Sequence, residues 1–356
     1  MPNRGEHTLR EILSQPDVWK QTLADFETQR AQFSDYWQTH CVAQPIEQII
    51  ITGCGSTYYQ SLIAATLLRA NLQINVQARP ASEIIFYPEQ VFTPNQRTLL
   101  IAISRSAKTT ETVGAVRLFK KRFSDQPSIA ITCYPNRELE QVVDFTLLAS
   151  AAHEESIAQT RSFASMLLLI ESLIASITQT TTLESLPQNV QQQFEAYYTL
   201  AQQLGEANSI ERFFFLGSSY RYGIACEGML KMKEMALAYS EAFHVLEFRH
   251  GPMSMVTPQS LVIGLITPES ASHETAVLRE MSERGAQVVA ITPTRLELPE
   301  AIHQVVFQSD LPTWANTLLY LPFLQLLAYY RAMKNGQNPD VPANLSMVVT
   351  LDTLPE

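Results

Sequence analysis

The stretch Gln48–Leu68, QIIITGCGSTYYQSLIAATLL, decides the fold. A short run of β-branched apolar residues gives way to a Gly/Ser turn and then to apolar residues at helical spacing, which reads as strand, loop and helix. Arg212–Met232, RFFFLGSSYRYGIACEGMLKM, has the same grammar about 160 residues later, with Gly217-Ser218-Ser219 set in the place of Gly55-Ser56-Thr57. The correspondence continues downstream. RTLLIAISRSAKTTETVGAVRLF (Arg97–Phe119) is matched by QSLVIGLITPESASHETAVLREM (Gln259–Met281), SIAITCYP (Ser128–Pro135) by QVVAITPT (Gln287–Thr294), and QVVDFTLLAS (Gln141–Ser150) by AIHQVVFQSD (Ala301–Asp310). Each half closes with a long apolar helix, Ile157–Thr178 and Thr313–Asn335.

Strands that alternate with helices through short turns imply parallel sheets covered on both faces and joined by right-handed crossovers. The chain therefore reads as α/β: two doubly wound parallel-sheet subdomains related by internal duplication. Its expected parts are a helical arm over 1–45, a first repeat over 46–180, a helical connector over 181–210, a second repeat over 211–335 and a tail over 336–356. Two copies of one unit explain a length of 356 residues, which exceeds what a single hydrophobic core usually holds.

Composition narrows the partners. With 35 acidic against 25 basic residues, a net charge of −10 and only seven lysines, the chain has no basic run for nucleic acid or for an anionic membrane surface. No uninterrupted apolar stretch reaches the ~18–20 residues that span a bilayer. The N-terminus lacks the apolar core of a signal peptide, so the expected location is the cytoplasm. Cys41, Cys54, Cys133 and Cys226 show no CxxC spacing, which argues against metal and for reduced thiols.

Two loops carry the first chemical signal. Gly53-Cys54-Gly55-Ser56-Thr57 follows the first strand, and Ser104-Arg105-Ser106-Ala107-Lys108-Thr109-Thr110-Glu111-Thr112 follows another; both enter helices. Helix N-termini offer unpaired N–H groups and partial positive charge, so Ser and Thr there either cap the helix or help bind an anion. Two such loops at adjacent strand ends favour the anion. GCGST lacks the lysine of a P-loop and the third glycine of a dinucleotide fingerprint, which disfavours ATP and NAD.

GCGST after a strand, SRSAKTTET after the next and EESIAQTRSF (Glu154–Phe163) at a helix start resemble the sugar isomerase (SIS) domain family, phosphosugar-binding modules of flavodoxin-like fold often found in tandem. EGMLKMKEMALAYSEAFHVLEFRHGP (Glu227–Pro252) is similar to the signature of the isomerase half of glucosamine-6-phosphate synthase and its relatives, which include glucosamine-6-phosphate deaminases, fructosamine-phosphate deglycases and tagatose-type isomerases. The resemblance spans nearly the whole chain. It implies phosphate binding by Ser56, Thr57, Ser104, Arg105, Ser106 and Thr109, with Arg105 standing where the synthases have Gln. A guanidinium there either contacts phosphate or pairs with a surface carboxylate such as Glu111.

The resemblance further implies sugar contacts from Cys54, Gly55, Ile157, Ala158 and Gln159, the last three at the start of an Ala158–Ile170 helix. It makes Glu234 the base that moves a proton between C1 and C2, with Lys231 near the same sugar. Spacing supports this independently, since Glu227, Lys231 and Glu234 share one helix face. That face is either an exposed ion-paired stripe or, given Met229, Leu230, Met232, Met235 and Leu237 around it, an apolar pocket in which a carboxylate gains basicity. His250 matches the histidine that opens the sugar ring from a neighbouring subunit, which implies a homodimer. Glu241 and Glu247 match further acidic positions. No metal or organic cofactor is implied.

Two departures bear on the reaction. The synthases begin with a glutaminase domain led by a cysteine, whereas this sequence begins with TLREILSQPDVWKQTL-type arm residues, so a complete glutamine-dependent synthase is not expected. The tail NGQNPDVPANLSMVVTLDTLPE (Asn335–Glu356) aligns with the segment that closes over the sugar, and Met347 stands where many members have an imine-forming lysine. Isomerisation through an enediol needs only a base, a ring opener and carbonyl polarisation, so it survives that loss. The expectation is an isomerase or deaminase of an amino-sugar phosphate; the alternatives are a phosphosugar sensor without turnover and a fructosamine-phosphate deglycase.

Overall fold

The computed structural model describes residues 3–180 and 182–347. The chain opens with α1 (Glu6–Leu13) and α2 (Gln15–Trp37) and then enters the first repeat: β1 (Gln48–Gly53), α3 (Ser56–Leu72), β2 (Asn75–Pro80), α4 (Ala81–Phe86), α5 (Pro88–Val91), β3 (Thr98–Ile103), α6 (Thr110–Arg122), β4 (Ser128–Thr132), β5 (Phe145–Leu148) and α7 (Arg161–Thr178). The connector is α8 (Leu186–Glu206). The second repeat runs β6 (Arg212–Gly217), α9 (Tyr220–Ala236), β7 (Tyr239–Phe243), β8 (Ser260–Leu265), α10 (Ala271–Glu283), β9 (Gln287–Thr292), β10 (Ile302–Val306) and α11 (Leu321–Lys334).

Both sheets are parallel and share one order. The first is β2-β1-β3-β4-β5 and the second, read from its other edge, is β7-β6-β8-β9-β10. This is the flavodoxin-like doubly wound order, whose ligand crevice lies where the chain reverses direction across the sheet. Here those points fall between β1 and β3 and between β6 and β8. The central strands are sealed: β1, β3, β4, β6 and β8 are buried at nearly every position. Each such Ile, Leu, Val or Phe contributes about 1.5–3 kcal/mol through removal from water.

Tertiary contacts divide the chain into two compact units. The first comprises Asp17–His153, Arg161–Glu184 and, at the tail, Ser346 and Met347. The second comprises residues up to Pro16, Glu154–Thr160 and Ser185–Leu345. The loop Glu154–Thr160 thus lies inside the first repeat by sequence but folds with the second unit. α7 is long and apolar enough by composition to cross a membrane, yet most of it is buried within its own unit, where it packs on α3.

Three readings of the sequence are corrected. Ile157–Thr160 is loop, and the helix expected from 157 or 158 begins at Arg161, because partners outside the loop take up its backbone groups. Thr313–Tyr320 is a 3₁₀ segment ahead of α11, whose second residue, Pro322, has no N–H to give. Finally, Gly217 ends β6 as Gly53 ends β1, and Ser219 (φ 57°, ψ −135°) repeats the backbone of Gly55 (φ 58°, ψ −125°), so the two turns align two residues away from the register read in sequence. A serine in that conformation carries ~1–3 kcal/mol of strain.

The two strand-terminal glycines are needed because each helix starts directly against its strand end. A Cβ at Gly53 would lie 2.7 Å from the main chain of Thr57, and one at Gly217 would lie 2.4 Å from the Arg221 carbonyl oxygen. We expect Gly53→Ala and Gly217→Ala each to destabilise the protein by about 1–3 kcal/mol. Urea unfolding with unchanged midpoints would contradict the packing described.

Candidate active site

The first unit brings together the two hydroxyl-rich loops that the sequence singled out. Thr52 and Ala102 face each other in the β1–β3 ladder, so Cys54 and Ser104 leave neighbouring strands at one level. The Cys54 Sγ lies 3.6 Å from the Thr112 Oγ1, which ties the two loops together. Ser56, Thr57, Ser104 and Arg105 are buried, and Ser106 and Thr109 are partly so. Gly55 and Thr109, the residues at the N-cap positions of α3 and α6, make no side-chain cap hydrogen bond. The Ser104 and Thr109 hydroxyls stand 3.4 Å apart, while the Ser106 hydroxyl accepts from the Lys108 N–H at 3.2 Å.

Not every residue in the set has the same freedom. Thr57 closes its own turn: its hydroxyl donates to the Cys54 carbonyl and accepts from the Cys54 N–H, both at 2.9 Å. Burial pushes the Cys54 thiol up to about 11, against the pull of its Thr112 hydrogen bond, so at neutral pH it is a thiol and not a nucleophile. Arg105 is buried rather than displayed on the surface, and its guanidinium donates to the Met347 carbonyl at 3.5 Å. Tail residues 348–356 lie outside the described residues.

The second unit carries the candidate acid–base residues, and their setting differs from the apolar pocket expected around Glu234. Lys231 is 1% exposed and sits between Glu227, 3.3 Å away and 2% exposed, and Glu234, which is 21% exposed and in closer contact with the ammonium. The exposed-stripe reading fails because the triad is mostly interior. Burial by itself lowers the pKa of Lys231, but the charges and hydrogen bonds of Glu227 and Glu234 outweigh it, so the net shift is upward. Lys231 is therefore a fixed ammonium, and Glu234 is the member of the triad open to a reactant.

This triad is remote from the crevice of its own sheet. α9 leaves the carboxyl end of β6 and runs back toward the start of β7, which carries Glu234 ~21 Å from Tyr220 along the helix axis. The crevice end holds different chemistry from the first repeat. Arg221 is buried and donates through Nε to the Leu265 carbonyl at 3.1 Å, and the Thr313 hydroxyl donates to Glu269 at 2.8 Å. The Thr267 hydroxyl, together with that of Thr313, holds the Glu269 carboxyl below the usual carboxylate range. An acidic side chain stands where the first repeat has hydroxyls.

His250 is exposed in the turn after a 3₁₀ segment, Glu247–Arg249, and among the described residues no hydrogen bond or ion pair joins it to Glu234. Glu241 is half-buried in β7 beside Tyr239, and Glu247 is exposed. Ile157, Ala158 and Gln159 sit in the loop Glu154–Thr160. Among the described residues no three His, Cys, Asp or Glu side chains converge as metal ligands. Reading the sequence missed Glu11, a fully buried carboxylate on α1 that bonds this loop; its only signal was an acidic residue on the apolar side of a short helix.

Comparison with known proteins agrees with this picture. A family model described as SIS domain matches residues 44–176 and 208–297. The chain is 28% identical to the isomerizing glutamine–fructose-6-phosphate aminotransferase of Caldanaerobacter subterraneus over 97% of its own length and 59% of that protein's, so it spans less than two thirds of such relatives. Glucosamine-6-phosphate deaminase from Thermotoga maritima superposes with a TM-score of 0.78 at 26% identity, covering 97% of this chain and all of that one. Tagatose-6-phosphate ketose/aldose isomerase from Escherichia coli shares the fold with a TM-score of 0.86 at 23% identity, covering 95% and 96% of the two chains.

Lys231→Met leaves two carboxylates without their ammonium, and we expect a loss of about 3–5 kcal/mol, measurable by denaturant unfolding. Because the folded pKa of Lys231 is raised, its contribution is complete below the unfolded value of about 10.4 and fades only as pH rises through the higher folded value. The difference between wild type and variant should thus be flat from neutral pH to about pH 10 and shrink above it.

Proposed function

The chain belongs to the SIS domain family, and from that premise we propose that it is an isomerase-type deaminase of an amino-sugar phosphate, with glucosamine 6-phosphate the representative substrate. The observation that carries this reading is the buried Glu227–Lys231–Glu234 triad: one carboxylate open to a reactant, held by an ammonium that cannot itself become a nucleophile.

The phosphate is assigned to Ser56, Ser104, Arg105, Ser106 and Thr109 at the α3 and α6 N-termini, with Thr57 shaping the first turn. Sugar contacts are assigned to Cys54, Gly55, Ile157, Ala158 and Gln159. His250 of a second copy assists ring opening and exposes the C1 aldehyde, which makes the active form a homodimer. Glu234 removes the C2 proton and returns it to C1, so the amino-aldose becomes a ketose 2-imine. Water then adds to C2, ammonia leaves, and fructose 6-phosphate remains: one water in and one ammonia out. Lys231 donates hydrogen bonds throughout and forms no imine, because an amine must lose its proton before it attacks a carbonyl. The reading places the reaction in the cytoplasm.

The chemistry is consistent with Met347, since no step calls on a tail lysine. It is also consistent with an exposed His250 that, among the described residues, has no hydrogen bond or ion pair to Glu234.

We expect ammonia and ketose from glucosamine 6-phosphate, with kcat falling ~10²–10⁴-fold in Glu234→Gln. Fructose 6-phosphate with ammonia and fructosamine 6-phosphate, run in parallel, separate synthesis and deglycation from deamination. Tight binding of all three without turnover would sink the enzyme reading and leave a sensor. Mixing Glu234→Gln with His250→Ala should restore activity to about a quarter of wild type if each site draws one residue from each copy; mixtures as inactive as their parents would refute the shared site.

A further inference from the structure

The loop Glu154–Thr160 is held almost atom by atom from elsewhere in its unit. Glu11 Oε1 accepts from the Glu155 N–H at 2.5 Å and the Ser156 N–H at 3.4 Å, and its Oε2 accepts from the Ser156 hydroxyl. The Ile157 N–H donates to the Asp340 carbonyl at 3.0 Å. The Asp340 carboxylate in turn accepts from the Thr8 N–H and hydroxyl, each at 2.8 Å. Glu154 accepts from the Thr160 N–H at 2.7 Å and its hydroxyl at 2.9 Å, and Gln325, itself bonded by Gln15, donates to the Thr160 carbonyl at 3.1 Å.

What this leaves over is specific. Among the described residues the N–H groups of Ala158 and Gln159 have no hydrogen-bond partner, and the Gln159 Oε1 is buried without one. A buried side-chain acceptor such as the Gln159 Oε1 is rarely left unmatched without a reason. The loop therefore offers two donors and one acceptor at a fixed spacing, and a polyhydroxylated or amino-bearing ligand supplies the complements.

We propose that Glu11, on the N-terminal arm, is a positioning residue that sets these groups for sugar recognition, with Asp340 fixing the next peptide. A carboxylate suits the place because all three of these loop contacts are donors and it only accepts, so both loop amides and the hydroxyl converge on one side chain. Both residues act through the loop and touch no reacting atom. This role rests on the sugar-phosphate reading above.

The test compares two probes on the full-length protein, glucosamine 6-phosphate and inorganic phosphate, by calorimetry. In wild type the sugar phosphate should bind more tightly than phosphate. In Glu11→Gln, which turns an acceptor into a donor facing donors, sugar-phosphate affinity should fall about tenfold or more while phosphate affinity stays within about twofold. Ser156→Ala removes a single donor and should give a smaller loss in the same direction, and Glu11→Asp a partial one. Where turnover is measurable, the Glu11→Gln defect should fall on KM more than on kcat. Equal losses for both probes would mean a general structural role, and unchanged sugar-phosphate binding would refute any role; either overturns the proposal. A wild type that does not prefer the sugar phosphate would overturn the functional reading instead. If Glu11→Gln fails to fold, Ser156→Ala and Glu11→Asp decide the question by the same selectivity.

Discussion

A parallel sheet covered on both faces leaves its strand ends as the places where the backbone can meet a ligand. Every crossover returns the chain to the same edge, so helix N-termini collect there with unsatisfied N–H groups and positive partial charge. Under the function proposed above, this constraint explains how an acidic chain with seven lysines would present a phosphate site. The cradle is made of hydroxyls and helix ends at the β1–β3 reversal, with one buried guanidinium, and needs no basic surface. Net charge describes the outer shell and has little bearing on the pocket.

Duplication supplied that edge twice, and the two copies have diverged in chemistry. The first has Ser, Thr and the Arg105 guanidinium; the second has Arg221 drawn onto the Leu265 carbonyl and Glu269 held by two threonine hydroxyls, so a carboxylate enters its edge. The second copy's contribution moved to the far end of α9, where Lys231 and Glu234 sit. Under the function proposed above, phosphate binding falls to one repeat and proton transfer to the other.

What the sequence made legible was whatever depends on local pattern. The β-branched runs of β1, β3, β4, β8 and β9 stand out because strands buried on both faces read as continuous apolar stretches. The edge strands β2 and β7 carry mixed, half-exposed residues such as Asn75, Gln77, Arg79, Tyr239 and Glu241, and nothing in their spacing distinguishes them from loop. The Ile157–Thr160 segment was misread for a different reason. Its residues are compatible with helix, and the groups that keep it open lie on Glu11 and Asp340, more than 140 residues away in sequence in each case. No window of local sequence contains that information. The setting of Glu234 was half legible: spacing put three charges on one face, but only packing could reveal that they satisfy one another inside the protein.

The replacement of an expected lysine by Met347 becomes intelligible from how the tail is attached. The described contact from Arg105 is to the Met347 carbonyl, a backbone group that every residue type possesses. A tail anchored through its main chain can exchange the side chain at that position without losing its place. The second question is whether another lysine could inherit the imine chemistry, and Lys231 is the one lysine of the interior triad. Two carboxylates favour its protonated form, and freeing its lone pair would leave the buried Glu227 and the partly buried Glu234 without their counter-charge. The same pair of interactions that holds Glu234 in place thus favours the protonated, non-nucleophilic form of Lys231. What remains open to this triad is proton transfer, which is the chemistry that moving a double bond between adjacent carbons requires.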